Sequence, residues 1–239
     1  MRAAVVIPAF NEERTIGEVA ALAVAQGVEV IVVDDGSSDR TADRLEGSEV
    51  VVLRNETNSG KGASLWRGMQ HALAEGAEAI VTLDADGQHA PEDIPRLLNA
   101  AASNPGRVII GARTRNAENA PRARLFANHF ADFWVSWAAG RPIRDSQSGF
   151  RLYPAEAAGS IGRELNGGFV FESEILIELA RRGCRFATVP IASCYPADAR
   201  PSHFRPVRDI ARIVRMVAWK LITRGLYPQG LARALLSSD

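Results

Sequence analysis

The sequence has few cysteines, no long apolar run and no excess of charge of either sign. The two cysteines, Cys184 and Cys194, form no CxxC pair and have no histidine at zinc-ligand spacing, so we predict reduced thiols and no zinc site. No apolar stretch approaches the roughly eighteen residues of a membrane span. The 28 basic and 28 acidic residues cancel, which argues against a dedicated nucleic-acid-binding protein.

Two motifs that bind nucleotide phosphates are also missing. No GxGxxG follows the first apolar run, and no GxxxxGK[ST] occurs anywhere in the 239 residues. The sequence therefore supports neither a Rossmann dinucleotide site nor a P-loop. The chain begins in an apolar run without the basic and then apolar leader of a signal peptide, so we expect a cytoplasmic protein.

Strand and helix patterns alternate through the first half of the chain. Short runs rich in valine and isoleucine predict strands at 3–8, 29–35, 49–55, 78–86 and 107–113. Apolar strands separated by helices are typical of a mostly parallel sheet with helices on both faces. We therefore predict an α/β fold, with a main domain over 1–200 and a basic, amphipathic helical appendage over 201–239. We also predict a short helix over 37–47 and a polar loop over 145–153.

Polar clusters follow four of the predicted strands. In chain order they read PAFNEE, DDGSSD, NETNSGKG and DADGQH. In open parallel sheets, ligands bind beyond the carboxyl ends of the strands. The four clusters therefore predict a binding site at one edge of the sheet.

The stretch DADGQH is the strongest candidate for a metal site. Carboxylates at Asp84 and Asp86 point the same way and suit a hard cation, Mg²⁺ or Mn²⁺, whose other ligands come from substrate phosphates. An EF-hand loop is excluded, because Gly87 is at its fourth position and Pro95 at its twelfth. The alternative is an acidic surface turn, but the three neighbouring polar loops favour the metal site.

The loop NSGKGAS, residues 58–64, has the composition of an anion site. Its backbone amides and Lys61 stand at the start of a predicted helix, where anions bind well. An ordinary glycine-rich loop with a solvated lysine is an equal alternative from this stretch alone.

Six motifs together resemble the family 2 glycosyltransferases, in particular the group of dolichyl-phosphate mannose synthase and polyprenyl-phosphate glycosyltransferases. The resemblance covers roughly residues 3–195, and DADGQH followed by DSQSGFR is its most specific part. It implies a GT-A fold, a single α/β domain that binds a nucleotide-sugar. The motifs are IPAFNE (7–12), VVDDGSSD (32–39), NSGKGAS (58–64), DADGQH (84–89), GAR (111–113) and DSQSGFR (145–151).

The resemblance also implies which residues bind the donor. The nucleotide pocket would be lined by Pro8, Phe10, Glu12, Val33 and Asp35. Lys61 would contribute to the same donor site. The diphosphate and its metal would be surrounded by Asp84, Ala85, Asp86 and Gln88, of which Asp86 and Gln88 are the expected direct ligands, with Asp84 beside them. Late basic residues would close over the diphosphate, namely Arg200 with His203 or Arg205.

The implied reaction is metal-dependent, inverting transfer of mannose or glucose from a nucleotide-sugar, GDP-mannose or UDP-glucose, to a polyprenyl phosphate. Arg113 would lie near the reacting phosphates or the acceptor, and Asp145, Ser146 and Gln147 would face the sugar and acceptor. The expected catalytic residues are thus Asp86, Arg113, Asp145 and Gln147. A lipid phosphate is already ionised and needs positioning only, whereas an alcohol acceptor would need a base, for which Asp145 is the candidate.

Two departures from the group's pattern concern the acceptor. An arginine commonly follows Asn128, where this chain has His129, and a lysine often follows Ser202, where it has His203. They leave open a soluble family 2 glycosyltransferase that acts on a sugar or small-molecule hydroxyl. A third alternative is a non-catalytic nucleotide-sugar-binding subunit, against which the intact DADGQH and DSQSG motifs argue.

A basic helix near the C-terminus predicts peripheral contact with an anionic membrane. Arg205, Arg208, Arg212 and Arg215 form one stripe, and Trp219 suits an interfacial position. The helix has an apolar face of Ile210, Ile213, Val214, Val217 and Leu221. The alternative is that this helix packs on the core and its arginines are solvated. The aromatic segment 126–137 has the same two interpretations.

Overall fold

A computed structural model describes residues 1–115, 122–161, 170–192 and 206–236. The strands within them are β1 (Ala3–Ala9), β2 (Glu29–Asp34), β3 (Val51–Arg54), β4 (Ala79–Thr82), β5 (Val108–Arg115), β6 (Arg151–Pro154) and β7 (Phe186–Ala192). The helices are α1 (Ile16–Val24), α2 (Lys61–Ala74), α3 (Ile94–Ser103), α4 (Arg122–Ala139), α5 (Ala155–Gly159), α6 (Val170–Arg181), α7 (Pro206–Ile222) and α8 (Pro228–Leu236).

The strands form a seven-stranded sheet in the order β3-β2-β1-β4-β6-β5-β7. β1 pairs in parallel with β2 and β4, β2 pairs in parallel with β3, and β5 pairs in parallel with β7. β6 runs antiparallel between β4 and β5. The predicted mostly parallel α/β sheet is confirmed, with β6 as its antiparallel strand.

Helices cover both faces of this sheet. Successive residues of a strand point to opposite faces, so Val5 and Val6 of β1 belong to different core clusters. All seven residues of β1 are buried. One cluster joins the sheet to α2, α4, α6 and α7, and the other joins it to α1 and α3.

Two predictions of local structure were wrong. The predicted helix over 37–47 is a loop with one 3₁₀ turn at Asp43–Leu45. The hydroxyls of Ser37 and Thr41 accept hydrogen bonds from backbone amides of the loop after β1, and such contacts stabilise turns in competition with a helix. The predicted loop over 145–153 ends in strand β6, which finds its partners only in the tertiary fold.

Helix α7 packs against the rest of the protein through one face. Met216, Val217 and Leu221 are buried in the cluster that also contains α4 and α6. Trp219 and Ile222 point away from that cluster and are 67% and 61% exposed. Of the predicted apolar face, Val217 and Leu221 are buried and Ile213 packs against the core, whereas Val214 is 51% exposed. The side chain of Ile210 lies outside the described part of the structure.

The predicted domain boundary at residue 200 and Cys194 lie outside the described residues. Cys184 is a free, half-buried thiol. None of the described helices is both long and apolar enough to cross a bilayer.

Candidate active site

The polar loops that follow β1, β2 and β3 lie side by side at one edge of the sheet. The side-chain oxygen of Asn11 accepts a hydrogen bond from the Ser38 amide at 2.8 Å, which joins the first loop to the second. The Asp35 carboxylate accepts the amides of Ser59 and Gly60 at 2.9 and 2.8 Å, which joins the second loop to the third. This part of the predicted edge is confirmed by direct contacts between the loops.

The residues predicted to line a nucleotide pocket lie partly in the strands of the sheet and partly in the loops that follow them. Pro8 and Val33 face each other in the register of β1 and β2 and are buried in the sheet. Phe10 and Glu12 are half-buried in the first loop. The Asp35 carboxylate is buried and engaged by the third loop. Their contacts with a nucleotide remain a prediction.

The DADGQH turn follows β4 at the same edge. The Asp86 carboxylate accepts the backbone amide of Gln88 at 3.0 Å, which fixes the turn. Gly87 has φ = +70°, a conformation that glycine adopts without strain. Ala85 is buried, so the two aspartates flank an anchored residue and keep a fixed spacing.

Lys61 joins this turn to the third loop and to α6. Its Nζ lies 2.6 Å from Asp84 Oδ1 and 3.1 Å from Glu172 Oε2. The three side chains are only 20%, 23% and 14% exposed, respectively. Lys61 is the first residue of α2, immediately after Gly60, whose amide binds Asp35. The backbone of Lys61 is thus held in place, and its side chain extends to Asp84 and Glu172.

The charges of this cluster shift the ionisation of its members. Burial alone lowers the pKa of Lys61, but the charges and hydrogen bonds of Asp84 and Glu172 raise it above the usual lysine value. Burial alone raises the pKa of Asp84, and the neighbouring Lys61 charge brings it below the usual range. At neutral pH Lys61 is therefore an ammonium ion and Asp84 a carboxylate.

Arg113 and Asp145 form a second ion pair. Arg113 donates to Asp145 Oδ2 from its backbone amide at 2.8 Å and from Nε at 2.9 Å, and Nη2 binds Oδ1. Burial raises the pKa of Asp145, but the hydrogen bonds and charge of Arg113 lower it below the ordinary value. The aspartate is therefore ionised and held in two-point contact, an arrangement that also fixes the guanidinium.

Asp132 of α4, which the sequence analysis missed, holds the loop that carries Asp145. Its carboxylate accepts the backbone amides of Asp145 and Ser146 at 2.9 and 2.7 Å. Asp145 has φ = +49°, a left-handed conformation that costs energy for a residue other than glycine. Burial raises the pKa of Asp132, although these hydrogen bonds oppose the shift. A polar residue inside an aromatic helix was the available signal.

Arg151 connects the same loop to the start of α6. Its side chain is 1% exposed and donates to the backbone carbonyls of Ser146 and Glu172, both at 2.7 Å. The Gln147 amide donates to the Ser173 hydroxyl at 3.2 Å, which makes a second link to α6. The loop of Asp145 and the first turn of α6 are thus fixed relative to each other.

His89 lies beneath the site as a neutral side chain. It is 4% exposed, and its ring is tilted against Phe150 at a centroid distance of 5.6 Å. Burial lowers its pKa to about 4, with Asp84 opposing the shift and Arg113 adding to it. Nδ1 has no hydrogen-bond partner among the described residues. This histidine contributes no positive charge at neutral pH.

The donor set at DADGQH fits a hard divalent cation that is shared with a substrate. Asp84, Asp86 and Gln88 offer carboxylate and amide oxygens, the ligands that Mg²⁺ and Mn²⁺ prefer. Across the described ranges, no group of three or more histidine, cysteine, aspartate or glutamate side chains could hold a metal ion. A cation held by these oxygens would take its remaining ligands from water or from a bound phosphate.

The structure brings most of the predicted site residues to one edge of the sheet. Lys61 pairs with Asp84 of the DADGQH turn, and Arg113 pairs with Asp145 of the DSQSGFR loop. Arg200, His203 and Arg205 lie outside the described residues. Glu172, like Asp132, had no predicted role. The available signal in the sequence was a carboxylate among the apolar residues that begin α6.

Comparison with known proteins identifies relatives for most of the chain. The family model described as Glycosyl transferase family 2 matches residues 4–161. The undecaprenyl-phosphate mannosyltransferase of Micrococcus luteus is 31% identical over 80% of this chain and 83% of its own length. The UDP-N-acetylglucosamine–dolichyl-phosphate N-acetylglucosaminyltransferase of Methanococcus voltae is 29% identical over 80% of this chain and 84% of its own.

A solved structure has the same fold. Glucosyl-3-phosphoglycerate synthase from Mycobacterium tuberculosis, in complex with Mn²⁺, UDP and glucosyl-3-phosphoglycerate, aligns with a TM-score of 0.64 and 26% identity. The alignment covers 93% of this chain and 79% of that one. The fold is therefore GT-A, as the sequence motifs imply.

Proposed function

Because the chain belongs to glycosyl transferase family 2 and is a glycosyltransferase, we propose that it transfers mannose or glucose to a polyprenyl phosphate with inversion at the anomeric carbon. The donor is a nucleotide-sugar, GDP-mannose or UDP-glucose. Two relatives named for transfer to undecaprenyl phosphate and dolichyl phosphate support this acceptor class. In this proposal the nucleotide-sugar binds to the loops at the sheet edge described above.

The observation that carries the proposal is the ion pair of Arg113 and Asp145. A general base works best when its pKa lies near the working pH. The pKa of Asp145 is instead lowered, and both of its oxygens contact Arg113. This carboxylate is a poor base for a hydroxyl acceptor, whereas a phosphate acceptor is ionised without help and needs only orientation. The pair therefore favours the lipid phosphate over the hydroxyl alternative.

The reaction forms one bond and breaks one. An oxygen of the acceptor phosphate attacks the anomeric carbon, and the bond from that carbon to the β-phosphate oxygen of the donor breaks on the opposite face. Arg113, fixed by Asp145, orients the attacking phosphate, and Gln147, held by Ser173, orients the sugar. When bound at Asp84, Asp86 and Gln88, Mg²⁺ or Mn²⁺ would neutralise the charge of the leaving diphosphate.

Exposed apolar side chains beside the acceptor loop support contact with a membrane. Phe130 and Phe133 of α4 are 50% and 38% exposed, and they flank Asp132, which binds the Asp145 loop. On α7, Trp219 and Ile222 are exposed. Arg212 and Arg215 are exposed on the same helix, a combination that suits an anionic bilayer surface. The prenyl chain of an acceptor could then remain in the bilayer while its phosphate reaches Arg113.

Calorimetric titration of GDP-mannose and UDP-glucose, with and without Mn²⁺, tests the donor half of the proposal. We expect one donor to bind only with the metal. Turnover on polyprenyl phosphates that needs detergent or anionic vesicles supports the acceptor class. Turnover on soluble hydroxyl acceptors alone favours the second enzyme function, and donor binding without turnover on any acceptor indicates a non-catalytic subunit.

A further inference from the structure

We propose that Glu172 is a positioning residue that takes over Lys61 from Asp84 when a metal-bound donor diphosphate enters the site. The inference rests on the proposed function, because it concerns the donor half of that reaction. It assigns a role to the first turn of α6, which neither the motifs nor the relatives' names address. The exchange itself breaks and forms ion pairs only, and no covalent bond changes.

Lys61 and a cation compete for the same carboxylate. Lys61 Nζ lies 2.6 Å from Asp84 Oδ1, so the ammonium charge opposes a cation on this carboxylate until the lysine side chain moves away. The backbone of Lys61 cannot supply the movement, because the Asp35 carboxylate holds the amides of Ser59 and Gly60 just before it. The exchange must therefore be a movement of the lysine side chain.

An ammonium ion displaced from Asp84 needs another counter-charge. Lys61 is only 20% exposed, and a charge left without a partner in such an environment is costly. The Glu172 carboxylate is already 3.1 Å from Nζ and is 14% exposed. A small rotation of the lysine side chain gives it full contact with Glu172 and releases Asp84.

Glu172 is held at the position that this exchange requires. Its backbone carbonyl accepts Arg151 Nη1 at 2.7 Å. The next residue, Ser173, accepts the Gln147 amide at 3.2 Å, and Glu174 binds Lys220 of α7 at 3.0 Å. Three consecutive residues at the start of α6 are thus anchored from three directions. The backbone that carries the Glu172 carboxylate is therefore fixed while the lysine moves.

The same helix offers a matched control. Lys220 lies 3.0 Å from Glu174 and 2.5 Å from Glu178, so it is also an ammonium ion between two carboxylates, with 14% exposure. This second cluster joins α6 to α7 and contains none of the predicted metal ligands. Glu178→Gln therefore reproduces the loss of one carboxylate from a lysine without touching the site.

The experiment measures the Mn²⁺ concentration that half-saturates binding of UDP or GDP, by calorimetry and without turnover. The proteins are the wild type, Glu172→Gln, Lys61→Met, the double variant and Glu178→Gln. We expect Glu172→Gln to raise the half-saturating Mn²⁺ concentration about tenfold, the usual scale for residues that position metal ligands. In the Lys61→Met background the same substitution should change it less than about twofold. Glu178→Gln should match the wild type.

The possible results distinguish failure of the role of Glu172 from failure of the proposed function. An unchanged Mn²⁺ requirement in Glu172→Gln, or an equal rise with and without Lys61, overturns the role of Glu172 while the proposed function stands. Absence of metal-dependent nucleotide binding by the wild type overturns the proposed function and this inference with it. Where Glu172→Gln fails to fold, Glu172→Asp, which keeps the charge but shortens its reach, serves for the same comparison, with a smaller expected rise.

Discussion

Gly149 packs directly against the carboxylate of Asp84. A β-carbon at position 149 would lie 2.5 Å from Asp84 Oδ2, and the hydroxyl of Thr82 donates to the Gly149 carbonyl at 2.7 Å. The turn DADGQH and the loop DSQSGFR therefore meet at this point. The contact explains why the sequence has a glycine here although its φ is not positive.

Replacing Gly149 by alanine should displace Asp84 and weaken metal-dependent binding of the donor. We expect a loss of about 1–3 kcal/mol in the free energy of unfolding, because the new methyl group overpacks a buried contact. Urea denaturation and donor titration measure the two effects. Gly159→Ala is the matched control, since its nearest neighbour would be 3.9 Å away. Equal behaviour of the two variants would contradict the account of this contact.

Asp86→Asn should abolish metal-dependent turnover and leave the fold intact. The substitution keeps the size of the side chain and removes the charge of a predicted metal ligand, so we expect a fall in kcat of about a hundredfold or more. Initial rates across a range of Mn²⁺ concentrations measure the effect, and circular dichroism checks the fold. The exposed Asp43→Asn provides a control at a distance from the site. Wild-type rates in Asp86→Asn would refute the metal assignment.

The pH dependence of stability tests the pair of Arg113 and Asp145. Because the folded-state pKa of Asp145 is lowered, the stabilisation from this group is complete above its unfolded-state pKa of about 3.9. It is lost as the pH falls through that value towards the folded-state pKa. We expect Asp145→Asn to be less stable than the wild type at pH 7, with the gap narrowing below about pH 4. Urea denaturation between pH 3 and 7 measures this gap, and a gap independent of pH would argue against the ion pair.

The exposed apolar residues of α7 should contribute to membrane binding and not to stability. Replacing Trp219 and Ile222 together by serine should reduce sedimentation with anionic vesicles severalfold, since both side chains face outward. The melting temperature should stay within a few degrees of the wild type, because surface substitutions change stability little. Val52→Ser, at an exposed position on β3, is the control. Unchanged sedimentation would assign this face a different role.

The sheet edge could be predicted from the sequence because its signals are local. The valine and isoleucine runs of β1, β2 and β4 are unbroken, and each ends in polar residues that share an edge in any parallel sheet. Prediction of the mostly parallel sheet and of the clustered loops required only this pattern. The motif pair DADGQH and DSQSGFR then indicated the family.

What the sequence did not predict depends on contacts between distant segments. Strand β6 is four residues long and follows a polar loop, so its antiparallel position between β4 and β5 has no local signal. The segment 37–47 forms turns instead of the expected helix, because the hydroxyls of Ser37 and Thr41 accept hydrogen bonds from the loop after β1. Lys61 looked like a solvated lysine or an anion ligand, and only the tertiary fold sets Asp84 and Glu172 on either side of it.

The most direct test of the central claim compares two acceptors that differ by one phosphate. Labelled GDP-mannose and UDP-glucose would be incubated with the protein, Mn²⁺ and either undecaprenyl phosphate or undecaprenol in detergent. We predict transfer to undecaprenyl phosphate alone, because Asp145 is held by Arg113 and cannot activate a hydroxyl. Transfer to undecaprenol at a comparable rate, or transfer to neither lipid by a protein that binds a donor, would contradict the account.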